Sequence, residues 1–406
     1  MRLLYFSPRD CWPTTSGARL RDYYLARGIS RRGKVTYLGF SKATDGKIWR
    51  GRVGRDQELD CVLVPSPPSF SPANLVRGLT GPLPITLLNF VSTAMRAELE
   101  KMLRAESFDL VQMEGVHLYP YLAAIRGVPG KPLVVADWHN IESELMRRYA
   151  ENLAPLSPQR WYAARTASLV AECELRLLDQ CDAHLVCSGR ERQALLQRSP
   201  GARIRVTENG VDTETFQPRP ASLTSKGRDL VFVGSMDYHA NIDAAKYFAN
   251  QVWPQLRARR PDLRLVLVGS RPVAEIVALG NEPGIVVTGT VESIAPYYEA
   301  ALAAIVPLRV GSGTRLKVLE AMAAGVPVIS TKLGAEGLDV ESGKDLLLAD
   351  TPDEFMAAVE RISSNPAEWD RLATAGRRVA EGIYDWSRIG DSLGEFYEEL
   401  LSAPKR

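Results

Sequence analysis

Residues 309–337 constrain the fold of this chain more than any other segment. They read RVGSGTRLKVLEAMAAGVPVISTKLGAEG, and they include or adjoin two short apolar runs, 303–307 and 326–330. Apolar runs of this length are typical of buried strands, whereas the residues between them repeat at helical spacing. The order strand, glycine loop, helix, strand is a βαβ unit, which predicts an α/β fold with parallel strands.

The spacing of apolar residues predicts a helix over residues 315–324, with Leu316, Leu319 and Ala323 on one face. Gly325 follows at the point where a helix commonly ends in a left-handed residue. Pro327 cannot continue the helix. The helix is therefore expected to end before Gly325.

The start of this helix has the features of an anion site. The residues just before it are Gly311, Ser312, Gly313 and Thr314. Unpaired backbone N–H groups and the positive end of the helix dipole meet at such a start. Arg315 and Lys317 add two positive charges that oppose the dipole, so an anionic ligand is favoured over a merely solvated basic turn. Neither the GxxxxGK[ST] nor the GxGxxG phosphate loop fits, because Leu316 occupies the third glycine position of the latter.

Glu320 lies five residues beyond Arg315, where its carboxylate can meet a group at some distance from a phosphate, such as a ribose diol. The run G-T-R-L-K-x-L-E-A-M-A-A-G-x-P-V-I-S-T resembles the nucleotide-sugar segment of glycosyltransferase family 4, retaining enzymes of GT-B fold. Most of that family has an acidic residue at the position of Ser312. The chain is similar instead to a bacterial subgroup with a Gly-Thr-Arg-Leu-Lys motif.

This resemblance implies a nucleotide-diphosphate sugar on the second half of the chain. The base is expected near Val291, the ribose on Glu320, and the diphosphate at residues 312–317, which include Gly313, Thr314 and Leu316. No bound cofactor beyond this donor substrate is implied.

The positive charges that many relatives use at the diphosphate are missing from their usual positions. Relatives have an arginine directly after the glycine that matches Gly234 and a lysine six residues later, whereas this chain has Ser235 and Asn241. Departure of a phosphate develops negative charge that positioned cations stabilise. We expect Arg315 and Lys317 to be the catalytic cations, moved across the pocket; a degenerate site without catalysis is the alternative.

The N-terminal half also begins as a βαβ unit. Residues 3–6 and 34–40 have strand patterns, residues 18–27 a helical one, and Gly17 lies at the expected helix start. Ser16-Gly17-Ala18 resembles the family's loop that faces the donor phosphates and the acceptor.

Two further residues follow predicted strands at the ends where ligands bind in parallel sheets. Glu114 ends the apolar run 109–114, and His139 follows the run 132–136. Glu114 matches a histidine that is frequent in the family, and we expect Glu114 to bind the sugar or the acceptor. For His139 two alternatives stay open: it lines the site, or it is a core or capping histidine. His117 and His184 are expected to pack, and the position of His239 stays open.

The pattern of alternating strands and helices predicts two Rossmann-like, doubly wound domains facing across a cleft. The boundary is expected at the Asn-Gly-Val-Asp turn that begins at Asn209, so the domains are residues 1–208 and 209–386. Residues 387–406 contain an amphipathic helix that the resemblance implies returns to the first domain. Residues 66–84, rich in proline, serine and glycine, are expected to be irregular.

Composition excludes several classes of protein. No stretch offers about 20 unbroken apolar residues for a membrane span, and no signal peptide is recognisable, so a cytoplasmic location is expected. Five cysteines without a CxxC pair predict reduced thiols and no structural zinc. The chain has no Asp-x-Asp pair of the kind that holds a metal at a diphosphate.

Positive charge is concentrated at the N-terminus. Residues 1–55 contain 13 lysines and arginines against 3 acidic residues. No nucleic-acid module accompanies them, so nucleic acid is not expected as a partner. An anionic membrane surface attracts such charge, and peripheral attachment to the inner leaflet, aided by Trp12, Tyr24 and Trp49, is the hypothesis weighed against an ordinary solvated face.

Together these features predict a retaining, metal-independent glycosyltransferase. It would move a sugar from a nucleotide donor to a glycan, lipid-linked or small-molecule acceptor. A non-catalytic nucleotide-sugar-binding subunit and a GT-B-like epimerase or phosphorylase are the alternatives. The sequence does not specify the donor base, the sugar, the acceptor, the linkage or the oligomeric state.

Overall fold

The computed structural model describes residues 1–68, 71–218, 227–311 and 315–403. The chain divides into two compact units, Met1–Glu208 with Ile389–Arg406, and Asn209–Arg388. The first unit therefore uses both ends of the chain, whereas the second is continuous.

An eight-stranded sheet forms the centre of the first unit. Its strands are β1 (Arg2–Ser7), β2 (Lys34–Ser41), β3 (Trp49–Val53), β4 (Leu59–Pro65), β5 (Leu110–Glu114), β6 (Leu133–Trp138), β7 (Ala183–Val186) and β8 (Ile204–Val206). Their order is β3-β4-β2-β1-β5-β6-β7-β8, and only β3 pairs antiparallel with its neighbour among these described strands. The strand order reverses between β1 and β5, which makes their carboxyl ends the expected ligand position.

Helices connect these strands. They are α1 (Gly17–Ser30), α2 (Pro72–Thr80), α3 (Ile85–Leu88), α4 (Thr93–Ala105), α5 (Leu122–Arg126), α6 (Glu142–Glu151), α7 (Pro158–Gln180) and α8 (Gly189–Arg198). Because helices cover the central strands, β1 buries five of its six residues. The short connection between α6 and α7 lets these two helices pack together as a hairpin.

The prediction of an irregular segment over residues 66–84 was wrong in part, because α2 lies within it. Ser71 caps this helix by accepting a hydrogen bond from the backbone N–H of Asn74, and Pro72 occupies the first helical position, where its missing N–H costs nothing. Proline was read as a loop signal although it also starts helices. Strands β3 and β4 were not predicted either.

A six-stranded, all-parallel sheet forms the centre of the second unit. Its strands are β9 (Asp229–Val233), β10 (Arg264–Val268), β11 (Ile285–Val287), β12 (Ala301–Val306), β13 (Val328–Ser330) and β14 (Leu347–Leu348). The order β11-β10-β9-β12-β13-β14 again reverses at one point, between β9 and β12. Carboxyl ends of these two strands are the expected ligand position in this unit.

Helices of the second unit follow the same alternation. They are α9 (His239–Tyr247), α10 (Trp253–Arg259), α11 (Ala274–Leu279), α12 (Ala295–Glu299), α13 (Leu316–Ala323), α14 (Pro352–Ser364) and α15 (Pro366–Ile383). A π-helical segment, Phe248–Val252, joins α9 to α10. The helical stretch that follows β9 is therefore interrupted. The βαβ unit predicted around residues 303–330 is confirmed as β12, α13 and β13.

Helix α13 is shorter than predicted at both ends. Arg315 has φ −86° and ψ 49°, so it is the N-cap rather than a helical residue, and Ala324 is the C-cap. Gly325 has φ +66°, which confirms the left-handed residue expected after the helix. Ser312, Gly313 and Thr314 lie outside the described residues.

The last helix, α16 (Trp386–Ser402), begins in the second unit and ends in the first. Gly390 packs so closely on Gly28 that a Cβ on Gly390 would lie 2.6 Å from the Gly28 Cα atom. Further along, the Tyr397 hydroxyl donates to the Gln112 side-chain oxygen at 2.6 Å. Among the described helices, none combines the length and the apolar composition needed to cross a bilayer. All five cysteines are free thiols.

Candidate functional site

The carboxyl end of β9 is held against the start of α9 by a side-chain amide. Asn241 donates through its Nδ2 to the backbone oxygen of Ser235 at 2.9 Å. This contact requires glycine at position 234, because a Cβ there would lie 2.6 Å from the same Nδ2. Gly234 and Ser235, both predicted as donor-binding residues, therefore position the Asn241 side chain.

The oxygen of the Asn241 side-chain amide contacts the amine of Lys317. Lys317 Nζ donates to Asn241 Oδ1 at 2.7 Å and lies 4.4 Å from the centre of the Phe232 ring. Burial lowers the pKa of Lys317 to about 7, with the positive charge of Arg315 acting in the same direction and Glu320 opposing both. The amine is thus costly to charge unless an anion joins it.

Arg315 is 5% exposed, yet its guanidinium is incompletely paired. Its Nη2 lies 3.3 Å from the carboxylate of Glu336, but its Nε is buried without a hydrogen-bond partner among the described residues. Burial lowers the pKa of Arg315. A buried guanidinium donor without a partner costs free energy, and an anionic acceptor would satisfy it.

Glu320 lies on the next turn of α13. Burial raises its pKa to about 7, and Lys317 and Tyr298 oppose the rise. Tyr298 is itself 1% exposed, and its hydroxyl donates to the backbone oxygen of Lys317 at 3.3 Å. A half-protonated carboxyl group near neutral pH can hydrogen-bond a hydroxyl-bearing ligand as donor or as acceptor.

Leu316 and Val291 are the other described residues of this unit that were predicted to bind the donor. Leu316 is half-buried at the start of α13, and Val291 is half-buried beyond β11. The structure adds a group that the sequence analysis missed: Arg271 donates to the Ser235 hydroxyl at 3.1 Å and pairs with Asp237 at 2.8 Å. No local pattern marks Arg271, because it follows a different strand, β10.

In the first unit, Glu114 and His139 are brought together as the strand order predicts. His139 Nε2 lies 2.7 Å from Glu114 Oε2. The carboxylate has no exposed surface and also accepts from the Gln112 side-chain amide at 2.6 Å, whereas the His139 side chain is 17% exposed. Of the two, His139 is the group that a ligand can reach, and Glu114 holds it.

Asp22 completes this cluster and was missed. It projects from α1, accepts from the Ser7 hydroxyl at 2.7 Å and pairs with Arg9 at 3.3 Å. Its Oδ1 faces His139 Nε2 at 3.5 Å, a separation beyond normal hydrogen-bond geometry, and is otherwise without a partner among the described residues. Only the packing of α1 on the sheet brings Asp22 to a histidine 117 positions later in the sequence.

The protonation of this cluster follows from burial and charge. Burial raises the pKa of Glu114 to about 7, assisted by Asp137 and Asp22. Burial alone would lower the pKa of His139, but the negative carboxylates of Asp22 and Glu114 beside the ring raise it to about 9. Near neutral pH, His139 is therefore a cation held by carboxylates.

Asp22, Glu114 and His139 also offer three ligand atoms within 4.8 Å of one another, as a metal site would. Two observations favour a shared proton instead. The distance of 2.7 Å between His139 and Glu114 is that of a hydrogen bond, and Arg9 already supplies a positive charge to Asp22. The expectation of a metal-independent protein remains a prediction.

The remaining predicted residues lie elsewhere. Gly17 is the exposed first residue of α1, whose cap is Ser16. His117 packs edge-on against Phe90, and His184 accepts from the Trp138 indole at 3.3 Å, which are the packing roles expected of these two histidines. His239 is exposed at the start of α9.

The architecture of two doubly wound units, each with polar residues at its switch point, defines a GT-B protein. Among solved structures, sucrose-phosphate synthase of Thermosynechococcus elongatus matches with a TM-score of 0.69 and 18% identity over 100% of both chains. Anabaena HepE in complex with UDP matches with a TM-score of 0.65 and 14% identity, over 98% of this chain and 100% of that one. At such identities these matches establish the fold.

Comparison with protein families identifies the chain more closely. Residues 51–215 match the family model described as Glycosyltransferase Family 4, and residues 227–365 match Glycosyl transferases group 1. The MMP alpha-(1->4)-mannosyltransferase of Mycolicibacterium hassiacum is 27% identical over 257 residues, 60% of this chain and 59% of that relative. The match thus spans less than two thirds of the relative's length. The chain belongs to the family 4 glycosyltransferases of GT-B fold.

Proposed function

We propose that this protein is a retaining, metal-independent glycosyltransferase that uses a nucleotide-diphosphate sugar. The proposal depends on two largely buried basic side chains, Arg315 and Lys317, which lie at the switch point of the second unit and have few acidic partners among the described residues. Arg315 is buried, and its Nε has no hydrogen-bond partner in the described part of the chain. Lys317 has a pKa of about 7 because its amine is desolvated. Both are costly arrangements that a diphosphate would relieve.

The chemistry follows from where negative charge appears. The bond between the sugar's anomeric carbon and the donor phosphate breaks, and a bond from that carbon to the acceptor oxygen forms. The proton of the acceptor hydroxyl passes to the departing phosphate, as the family's same-face mechanism implies. Arg315 and Lys317 would stabilise the charge that develops on this phosphate, which is the largest contribution expected of preorganised cations.

Glu320 is proposed to bind the ribose, because its carboxyl group lies one turn from the proposed diphosphate position on α13. In Anabaena HepE, a relative by fold, the bound nucleotide is UDP. UDP-sugars are therefore the first donors to test. The residues that would select the base and the sugar include Val291 and the region of Ser312, Gly313 and Thr314.

His139 is proposed to contact the transferred sugar or the acceptor, with Glu114 as its positioning residue. Imidazolium can donate a hydrogen bond to a sugar hydroxyl, whereas Glu114 has no exposed surface. Of the two candidates from the sequence, Glu114 and His139, the histidine is thus proposed to contact the sugar or the acceptor. Acceptors bearing hydroxyl groups, whether glycans, lipid-linked sugars or small molecules, all fit this chemistry.

We further propose that the acceptor is lipid-linked and that the protein attaches to an anionic membrane surface. The basic N-terminus does not by itself supply the attachment. Nine of its 13 basic residues pair with acidic groups of the same unit, namely Arg9, Arg19, Arg21, Arg27, Arg31, Arg32, Lys34, Arg50 and Arg52. Tyr24 is 7% exposed, so it is not an interfacial anchor. Attachment would therefore require other exposed residues of the protein.

The function is tested in two stages. A thermal-shift screen of nucleotide sugars identifies the donor, because a ligand at 100 times its Kd stabilises a protein by about 2.7 kcal/mol. Release of free nucleotide is then measured with and without candidate acceptors. Release that needs an acceptor supports a transferase, whereas donor binding without release indicates a non-catalytic subunit.

Metal independence has its own test. Transfer in excess EDTA is expected to match transfer in magnesium, because Arg315 and Lys317 replace the divalent ion at the diphosphate. Activity that EDTA abolishes and magnesium or manganese restores would contradict this part of the proposal.

A further inference from the structure

The connection between α6 and α7 exposes large apolar side chains. Leu156 is 99% exposed, Trp161 61% and Tyr149 55%. All three lie in or within four residues of the loop 152–157. Single exposed apolar residues are normal on protein surfaces, whereas two aromatic rings and a leucine within 13 positions are a local concentration that suits an interaction surface. We call residues 147–161 the hairpin tip.

Hydrogen bonds hold the hairpin tip in its shape. The Arg160 guanidinium donates to the backbone oxygen of Leu153 at 3.3 Å, and Ser157 caps α7 through its hydroxyl. The Ser157 backbone N–H donates to the oxygen of Ala154 at 3.0 Å. Leu156 is thus presented by an ordered turn. Its exposure is built into the hairpin.

The charge around the tip is positive and available. Residues 145–165 contain four arginines and one acidic residue, Glu151. Arg147 and Arg148 are exposed on α6, and neither forms an ion pair within the described part of the chain. This differs from the N-terminal arginines, most of which are paired.

Helix α6 joins the hairpin tip to the cluster of Asp22, Glu114 and His139. Helix α6 begins three residues after His139 and has 10 residues, so the tip lies about 15 Å along this helix from its His139 end. A surface bound at the tip is within reach of an acceptor whose head group extends from it toward His139.

We propose that the hairpin tip docks the protein on an anionic lipid bilayer, with Leu156 and Trp161 entering the interface and Arg147 and Arg148 contacting lipid phosphates. This rests on the membrane attachment proposed above and names its surface. Apolar and aromatic side chains flanked by arginines, with a single carboxylate nearby, are the composition that binds anionic interfaces. An acidic protein would satisfy the arginines but would leave the fully exposed leucine without a bilayer's apolar layer.

Vesicle sedimentation of the full chain tests the assignment. Vesicles of phosphatidylcholine alone are compared with vesicles containing about one third phosphatidylglycerol, which supply the negative surface potential. The variants are Leu156→Ser with Trp161→Ser, and Arg147→Gln with Arg148→Gln. Val277→Ser is the matched control, because Val277 is 53% exposed on α11 of the second unit. Thermal unfolding verifies that all variants fold.

The wild-type protein and the Val277→Ser variant are expected to sediment with anionic vesicles and far less with neutral ones. The apolar double variant should bind at least about tenfold more weakly, and the arginine variant about fivefold more weakly for each charge removed. If both double variants bind anionic vesicles as well as the wild type does, the hairpin tip is not the docking surface, although membrane attachment itself is supported. No wild-type binding to anionic vesicles would overturn membrane attachment altogether.

Two further measurements separate the remaining outcomes. Gel filtration detects self-association: a wild-type dimer that Leu156→Ser with Trp161→Ser converts to a monomer would assign the tip to a protein interface and overturn the proposal. Donor binding in solution, measured by thermal shift on the same variants, should be unchanged. If the wild-type protein bound no donor, the proposed transferase function would be contradicted. The result of the vesicle experiment would still stand on its own.

Discussion

The amine of Lys317 lies 2.7 Å from the side-chain oxygen of Asn241, the position at which many family members carry a lysine. We propose that this amine, which arrives from α13, takes the place of the cation that is missing from position 241. Asn241 cannot supply charge, but its amide holds the amine and its Nδ2 fixes the Ser235 backbone. On this proposal Lys317 supplies the positive charge of the pocket when an anionic donor binds, because burial lowers the pKa of the amine to about 7.

Exchange of the two side chains tests this relocation. Lys317→Asn should lower turnover by about 10²-fold or more, the scale for removing a preorganised charge stabiliser. The double variant Asn241→Lys with Lys317→Asn should recover most of the loss, since it returns an amine to the same pocket from the other side. Turnover is measured as acceptor-dependent nucleotide release. A double variant no better than Lys317→Asn would count against relocation.

Removal of the Lys317 amine should also stabilise the fold. Lys317→Met keeps most of the stem but removes a group whose folded pKa, about 7, lies below the ordinary value for lysine. Between these values the unfolded state binds more protons, so the wild-type lysine costs stability that increases as pH falls from about 10 to about 7. We expect Lys317→Met to raise the unfolding free energy by about 1 kcal/mol or more at pH 7, measured by urea denaturation. If Lys317→Met changed the unfolding free energy by the same amount at pH 7 and at pH 10, the amine would be hydrated in the folded wild-type protein.

Donor binding should move protons in opposite directions at Lys317 and Glu320. A bound diphosphate raises the pKa of Lys317, which takes up a proton, whereas ribose hydroxyls that donate to Glu320 favour its charged form and release one. Calorimetry at pH 7 in buffers of different ionisation enthalpy should show net uptake for Glu320→Gln and net release for Lys317→Met. The same sign in both variants would contradict one of the two contacts.

Glu320→Gln should weaken donor affinity by about 1 to 3 kcal/mol, the value of a hydrogen bond to a charged group. Turnover at saturating donor should change less, because the ribose lies away from the leaving phosphate. Unchanged affinity would assign Glu320 to packing against Tyr298.

Glu114 is predicted to act through His139. Glu114→Gln removes one of the carboxylates that raise the pKa of His139 to about 9, so the pKa of the histidine should fall toward its ordinary value near 6.5. The high-pH limb of the transfer rate should move to lower pH by a comparable amount, while donor affinity stays unchanged. Nuclear magnetic resonance titration of His139 provides the direct measurement. An unshifted pKa would mean that Asp22 alone holds the imidazolium.

The sequence by itself determined the βαβ unit around α13, because apolar spacing, Gly325 and Pro327 all act within a few residues of one another. It failed at α2, where Pro72 starts a helix in a segment whose composition indicated a loop. Composition counts residue types, whereas helix initiation depends on which position the proline occupies. The cations Arg315 and Lys317 were predicted from their places in one helical turn.

Only the tertiary structure decided what those cations meet. Lys317 and Asn241 are 76 positions apart, and they touch because β9 pairs with β12, the strand that precedes α13. His139 and Asp22 meet for a similar reason, since strand order and the packing of α1 bring them together. Periodicity records which face of an element is buried, but it carries no information about which distant element covers that face. The residues of the site were therefore largely visible in the sequence, while their partners, their burial and their shifted pKa values depended on the assembled sheets.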